Sequence, residues 1–245
     1  MIATSVRATL TDDDRTLALE LLAAGIAGER RRLEARVAAE SADALWDDPR
    51  LVAALLTCRG LAAPSPALFF YAVLRRFLRE AGVEDRALAD YCAALVLVFG
   101  RGDRAQRIGE HDENRTAYLV DLMVEAGRAD GAGERRFRVH MHLGDFALWM
   151  AGIFPDYIEA RRSRKGGPDL AYYEQAGRRG FRQASDHRLA ERYGLKEVLR
   201  AAGESFGEVR VALNRISDRM LFPGCWTPEK LMRQAADDFR LHSIQ

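Results

Sequence analysis

Lysine is nearly missing from this chain. It occurs only at Lys165, Lys196 and Lys230, so almost all of the 37 basic residues are arginine. Arginine used this freely dilutes what any single one implies, although its planar fork suits phosphate and carboxylate. Net charge is equally scarce, because 36 acidic residues nearly cancel the basic ones. That removes long-range steering of nucleic acid by net charge. With 48% hydrophobic residues, it also excludes the low-hydrophobicity, high-charge signature of disorder. Cysteine is sparse and odd in number: Cys58, Cys92 and Cys225 lie far apart with no CxxC pairing, which argues against a zinc knuckle or a redox motif. A reducing cytoplasm fits this usage.

Long apolar runs are missing too. The longest, 91–99 and 147–154, fall well short of the roughly 20 residues a membrane span needs. Residues 1–14 have no basic segment followed by an apolar one, so no secretory signal is expected. Neither G-x-x-x-x-G-K-[ST] nor G-x-G-x-x-G after a strand occurs, which excludes nucleotide-dependent enzymes of familiar type. No Glu-x-x-His pair exists on which a carboxylate-bridged di-metal centre could be built. Ser-His-Asp or Cys-His catalysis lacks a supporting context. His111-Asp112 resembles the dipeptide of metal-dependent HD phosphohydrolases, but that pattern needs an earlier histidine and His111 is the first. Glu110, Asp112 and Glu113 read as a solvated acidic loop, and no metal is expected.

What is present is helical periodicity. Thr11 before Asp12, Asp13 and Asp14 is an N-cap with acids in the first turn. Leu19, Leu22, Ile26, Leu33 and Val37 then share one face, which predicts a helix running towards Glu40. Gly25 and Gly28 suit a close helix crossing. A shorter helix is expected over 46–58. Ser65 and Pro66 open another, with Phe70, Val73, Leu74, Phe77 and Leu78 inward and Arg75, Arg76, Arg79 and Glu80 on the wet side.

The segment 83–100 is apolar nearly all round. After a polar loop at 101–115, helices are expected over 116–128 and over 134–154, the latter closed by Pro155. Asp169 caps a helix to His187, in which Gly177 and Gly180 would let a neighbour approach. Leu199, Ala202, Phe206, Val209, Leu213, Ile216 and Met220 form an unbroken a/d seam. A final helix after Pro228 carries Leu231, Ala235 and Phe239 inward. The sum is an all-α, single-domain multi-helix bundle over 1–245, with eight or nine helices. Two apolar helices sit at its centre, and 101–115 is the place for any subdivision.

The strongest anomaly is His140, His142 and Asp145 inside the otherwise apolar helix at 134–154, since buried charge requires a reason. His142 and Asp145 are three apart, on one helix face, where a carboxylate would orient and charge the imidazole. A structural reading competes: a buried polar network satisfied by a neighbouring Arg or Tyr. Helical HEPN ribonucleases carry an Arg four to six residues before a His. The spacing of Arg135 to His140, or of Arg182 and Gln183 to His187, resembles that motif and would imply metal-independent RNA cleavage. In so arginine-rich a chain, chance alone supplies such spacings. Arg161, Arg162, Arg164, Lys165, Arg178, Arg179 and Arg182 form the only local basic excess, balanced by Asp156, Glu159, Asp169 and Glu174.

The function expected from these residues is a non-catalytic helical binding or protein-interaction module of the cytoplasm, self-associating through the 199–220 seam and the 25–28 segment. The alternative is a helical enzyme or small-ligand binder using His140, His142 and Asp145, with a HEPN-like ribonuclease third. A homo-oligomer is compatible with the seam, and a small-molecule ligand with the polar helix. Membrane and nucleic acid are not expected partners. The sequence names no cofactor.

Overall fold

The computed structural model describes residues 5–58, 63–101, 104–108, 118–128, 133–224 and 228–242, and of the side chains in 228–242 those of 230–237. Among these residues 14 α-helices and no strand occur, so the protein is all-α. The helix number exceeds the expected eight or nine mainly because turn residues divide predicted long helices into shorter ones. The chain divides into two compact units, residues 2–80 with 84–97, and residues 81–83 with 98–245.

In the N-terminal unit, Thr11 and Asp14 exchange hydrogen bonds as a capping box and start α1, Asp12–Ala23. The helix does not run on to Glu40. Ala24 and Gly25 both take left-handed backbone, at φ 48° and 78°, and α2, Ala27–Glu40, begins afresh. A Cβ placed at Gly28 would meet nothing within 4 Å, so no close helix crossing forms there. The helix expected at 46–58 is two pieces, α3 (Asp43–Trp46) and α4 (Leu51–Thr57). Between them the Asp48 carboxylate accepts from the Arg50 backbone N–H at 2.9 Å.

Ser65 caps α5, Pro66–Glu80, by accepting from Leu68 N–H, and Asp85 does the same for α6, Arg86–Phe99. Leu45, Leu51, Leu68, Tyr71, Leu74 and Leu88 are fully enclosed and form the core. Arg75 departs from expectation. It belongs to the supposed wet side of α5 yet is buried, because Asp47 neutralises it through hydrogen bonds of 2.7 and 3.2 Å.

The C-terminal unit holds α7 (Leu119–Arg128), α8 (Glu134–Ile153), α9 (Pro155–Lys165), α10 (Leu170–Ser185), α11 (Arg188–Arg192), α12 (Lys196–Glu204), α13 (Phe206–Ile216) and α14 (Pro228–His242). Pro155 ends α8 and also serves as the first residue of α9, where its missing N–H costs nothing. Gly166, left-handed at φ 61°, closes α9. Asp169 caps α10 through Tyr172 N–H.

The predicted seam is interrupted at Ser205, between α12 and α13, and continues past Ile216 into a π-helical turn, Ser217–Leu221. Leu199, Ala202, Phe206, Val209, Leu213 and Ile216 are fully buried within this unit, so the seam is internal packing rather than an open association face. From α13, Asn214 donates to the carbonyls of Ala151 and Gly152 at 2.8 and 2.7 Å, and Ser217 to that of Ile153. These bonds satisfy the orphan C-terminal carbonyls of α8. The two apolar helices thus fall in different units: α6 lies largely in the first, and α8 is embedded in the second. Phe239 and the loop at 109–115 lie outside the described side chains and residues. No described helix is long and apolar enough to cross a membrane.

Candidate functional site

The closest helix packing in the C-terminal unit is between α8 and α10, and glycine makes it so. A Cβ on Gly180 would lie 2.7 Å from the Gly144 nitrogen and 2.8 Å from the His140 carbonyl oxygen. Backbone against backbone at this distance leaves no room for any side chain, as the Gly177 and Gly180 spacing predicts.

The crossing brings together residues of three helices, those of α8 and α10 at spacings of 3 and 4. Arg136, His140 and Leu143 come from α8, Ala176, Arg179 and Gln183 from α10, and Met123, Ala126 and Gly127 from α7. They line a cavity of about 280 Å³ that opens to solvent, where Arg136, Arg179 and Gly127 are exposed. His140 is buried, 3% exposed, and among the described residues neither of its ring nitrogens has a hydrogen-bond partner. Burial first, then the positive charges of Arg136 and Arg179 and the neighbouring His187, hold its pKa below the usual histidine range. His140 is therefore neutral at neutral pH.

His142 and Asp145 are buried as well but do not line this cavity. Two residues on from His140, the ring of His142 points to another side of α8, between Phe99 and Phe146 at centroid distances of 5.5 and 6.3 Å. The structure thus separates the three sequence candidates into His140 at a cavity and His142 with Asp145 in the core. Arg136, Arg179 and Gln183 were the residues sequence reasoning missed as a group. Only the i, i+4 step from Arg136 to His140 and from Arg179 to Gln183 marks them.

The HEPN-like spacings are otherwise engaged. Arg135 pairs with Glu125 at 3.1 Å, and the Nδ1 of His187 caps α11 by accepting from Leu189 N–H. Gly203-Glu204-Ser205-Phe206-Gly207 matches the G-x-S-x-G nucleophile pattern, which corrects the expectation that no such motif supports Ser-His-Asp catalysis. That pattern works as a sharp turn from strand to helix, whereas Ser205 joins two helices. Three of the seven basic residues of α9 and α10 are engaged: Arg161 lies over the Tyr118 ring at 4.4 Å, Arg162 pairs with Glu159, and Arg178 binds Glu174 and the carbonyls of Gly203 and Glu204. His111 and Asp112 lie outside the described residues. No group of three or more His, Cys, Asp or Glu positioned for a metal occurs among those described.

The histidine makes a pH prediction with a definite sign. With its folded pKa depressed, His140 contributes nothing above the unfolded value of about 6.5. Below that pH the unfolded chain takes up a proton that the folded one resists, so stability falls by up to about 1.4 kcal/mol per pH unit. Urea unfolding at about pH 7.5 and about pH 5.5 should show this loss, and His140→Gln should reduce it.

No known family model, curated protein or solved structure matches this chain.

Proposed function

We propose that this chain is a non-catalytic helical binding protein that holds a small polar ligand in the cavity beside His140. One observation carries the reading: a buried imidazole whose nitrogens have no hydrogen-bond partner among the described residues lines a cavity that also presents Arg136, Arg179 and Gln183. Neutral imidazole offers one donor and one acceptor, and leaving a buried polar group unmade costs about 1–3 kcal/mol. A ligand group that supplies both bonds recovers that energy. The volume, about 280 Å³, lies near the lower end of small-molecule sites, which begin at about 300 Å³. The ligand is accordingly small. Binding is favoured over catalysis because the described lining contains no carboxylate, hydroxyl or thiol with which His140 could form a nucleophile and base pair.

The test follows the His140 ring nitrogens by NMR while the full chain is titrated with small carboxylates, phosphates and amides. One class should shift them saturably, and Gln183→Ala should weaken that binding by about tenfold, the equivalent of one lost hydrogen bond. If every class leaves the nitrogens unmoved and host-purified protein shows only polypeptide mass in a native spectrum, the reading is wrong. A protein-interaction role is favoured by a separate feature, the exposed Val120 and Val124 one turn apart on α7 beside exposed Tyr118. The same spectrum reports a dimer.

A further inference from the structure

The hydrogen-bonding groups that the His140 cavity keeps for a ligand are neutral ones. The imidazole, whose nitrogens find no partner among the described residues, supplies one donor and one acceptor. Gln183 of α10 adds a carboxamide with both kinds again. Arg136 already has an interaction of its own within the protein, so it holds no charge in reserve, and Arg179 stands exposed where the cavity meets solvent. The remaining lining is mostly apolar and comes from all three helices: Met123 and Ala126 from α7, Leu143 from α8 and Ala176 from α10. Met123 is fixed in place, because the Tyr172 hydroxyl of α10 donates to its sulfur at 3.2 Å.

Donors and acceptors side by side above apolar walls discriminate between ligand classes. A phosphate or carboxylate only accepts and an ammonium ion only donates. Either leaves part of the imidazole and of the carboxamide unmatched, which costs binding energy. A polyol matches the polar groups but would lose the hydration of its other hydroxyls against Met123 and Leu143. A flat ring with a donor and an acceptor adjacent on one edge satisfies both surfaces. It has no internal rotation to lose on binding, and a methionine thioether makes favourable contact with an aromatic ring.

We propose that this cavity takes a nucleobase, free or carried by a nucleoside, whose amide-type edge pairs with the Gln183 carboxamide and the His140 imidazole while its ring lies against Met123 and Leu143. The inference rests on the binding role proposed above and narrows its ligand to one class. A glutamine carboxamide pairs in this bidentate way with the N6 and N7 edge of adenine in DNA recognition. The side of the cavity that opens to solvent leaves a way out for the sugar of a nucleoside.

The experiment is calorimetric titration of the full chain at about pH 7.5 with adenine, uracil, their nucleosides and benzoate, a flat ring that carries an anion in place of the paired edge. At least one base should bind saturably, with an affinity that does not change between about 0.05 and 0.5 M salt, as expected for a neutral ligand. Benzoate should bind about tenfold or more weakly. Gln183→Leu, at a half-buried position, removes the carboxamide and should reduce affinity for the base about tenfold or more. His140→Phe keeps a ring but no nitrogens. It should lose a similar factor in affinity yet unfold in urea no earlier than wild type, because two buried nitrogens without partners leave with the imidazole. A nucleoside that binds at least as tightly as its base assigns the nucleoside, and rejection of the nucleoside assigns the free base. Wild-type affinity in Gln183→Leu, or benzoate bound as tightly as the bases, overturns the inference. If no base binds while a small carboxylate or another compound shifts the His140 ring nitrogens, the nucleobase assignment falls and the binding role stands. If nothing shifts them, both fall.

Discussion

Gly180→Ala is expected to destabilise the C-terminal unit by about 3 kcal/mol or more, at the upper end of what overpacking costs. The added methyl would sit 2.7 and 2.8 Å from main-chain atoms of Gly144 and His140, and main chain inside a helix cannot rotate away as a side chain can. Relief would require α8 and α10 to move apart, opening the packing between them and distorting the His140 cavity that they form with α7. Gly203→Ala supplies an internal comparison. Its methyl would meet the Phe181 Cβ at 3.4 Å, ordinary contact, and should change stability by less than about 1 kcal/mol. Gly28→Ala should have the opposite sign. It lies inside α2 with nothing within 4 Å of the new Cβ, so the helix propensity of alanine should add about 0.5–1 kcal/mol. Chemical unfolding of the three variants checks the order. A Gly180→Ala protein as stable as wild type would mean that the helix crossing is looser than this geometry.

Local chemistry was the legible part of this fold. The Thr11 and Asp169 caps, the Pro66 start and the close approach at Gly180 all follow from residue types at fixed offsets, and the structure has each of them. Continuity was not legible. The apolar faces of α1 and α2 keep one period through Gly25, and the α12 and α13 seam keeps it through Ser205, but periodicity records burial and not whether the chain turns between two buried stretches. Burial of charge was also hidden. Arg75 looks like any other member of a polar helix face, and only the distant Asp47 gives it a reason to be inside. The candidate site was half legible. His140 is conspicuous as a polar residue in an apolar helix, whereas Arg179 and Gln183 sit about 40 residues later in a chain where arginine is commonplace. His142 and Asp145 stand out in the sequence as clearly as His140, and helix geometry turns their ring and carboxylate away from the cavity.

Asp47→Ala should cost the N-terminal unit about 3 kcal/mol, the lower end of what is lost when one partner of a buried ion pair is removed. The Asp47 carboxylate receives Arg75 through Nε and Nη2, and Arg86 through Nε and Nη2 at 2.9 and 2.6 Å. The Arg75 side chain is only 4% exposed, and after the substitution its remaining carboxylate partner would be Glu84 at 3.2 Å, on a side chain 66% exposed. Arg86 is 46% exposed, can turn to water, and should account for less than about 1 kcal/mol of the loss. The penalty therefore comes from stranding the Arg75 charge, and a double variant tests that origin. Arg75→Met with Asp47→Ala removes charge and counter-charge together and should be more stable than Asp47→Ala alone.

The pH dependence has a fixed direction. Burial by itself raises the Asp47 pKa, but hydrogen bonds from Arg75 and Arg86 and their charges outweigh it and hold the carboxyl below its usual 3.8. Asp48 beside Arg50 and Asp218 beside Arg233 are held down in the same way. A carboxyl with a depressed folded pKa contributes stability that is fully present above its unfolded value and is lost as pH falls through the folded one. Wild type should accordingly hold its stability from neutral pH to about pH 4.5 apart from the His140 contribution, then lose it steeply on further acidification. Asp47→Ala, already without one of these carboxylates, should show a shallower acid limb in parallel melts. If its acid limb matched wild type in depth, Asp47 would not be the counter-charge that keeps Arg75 inside.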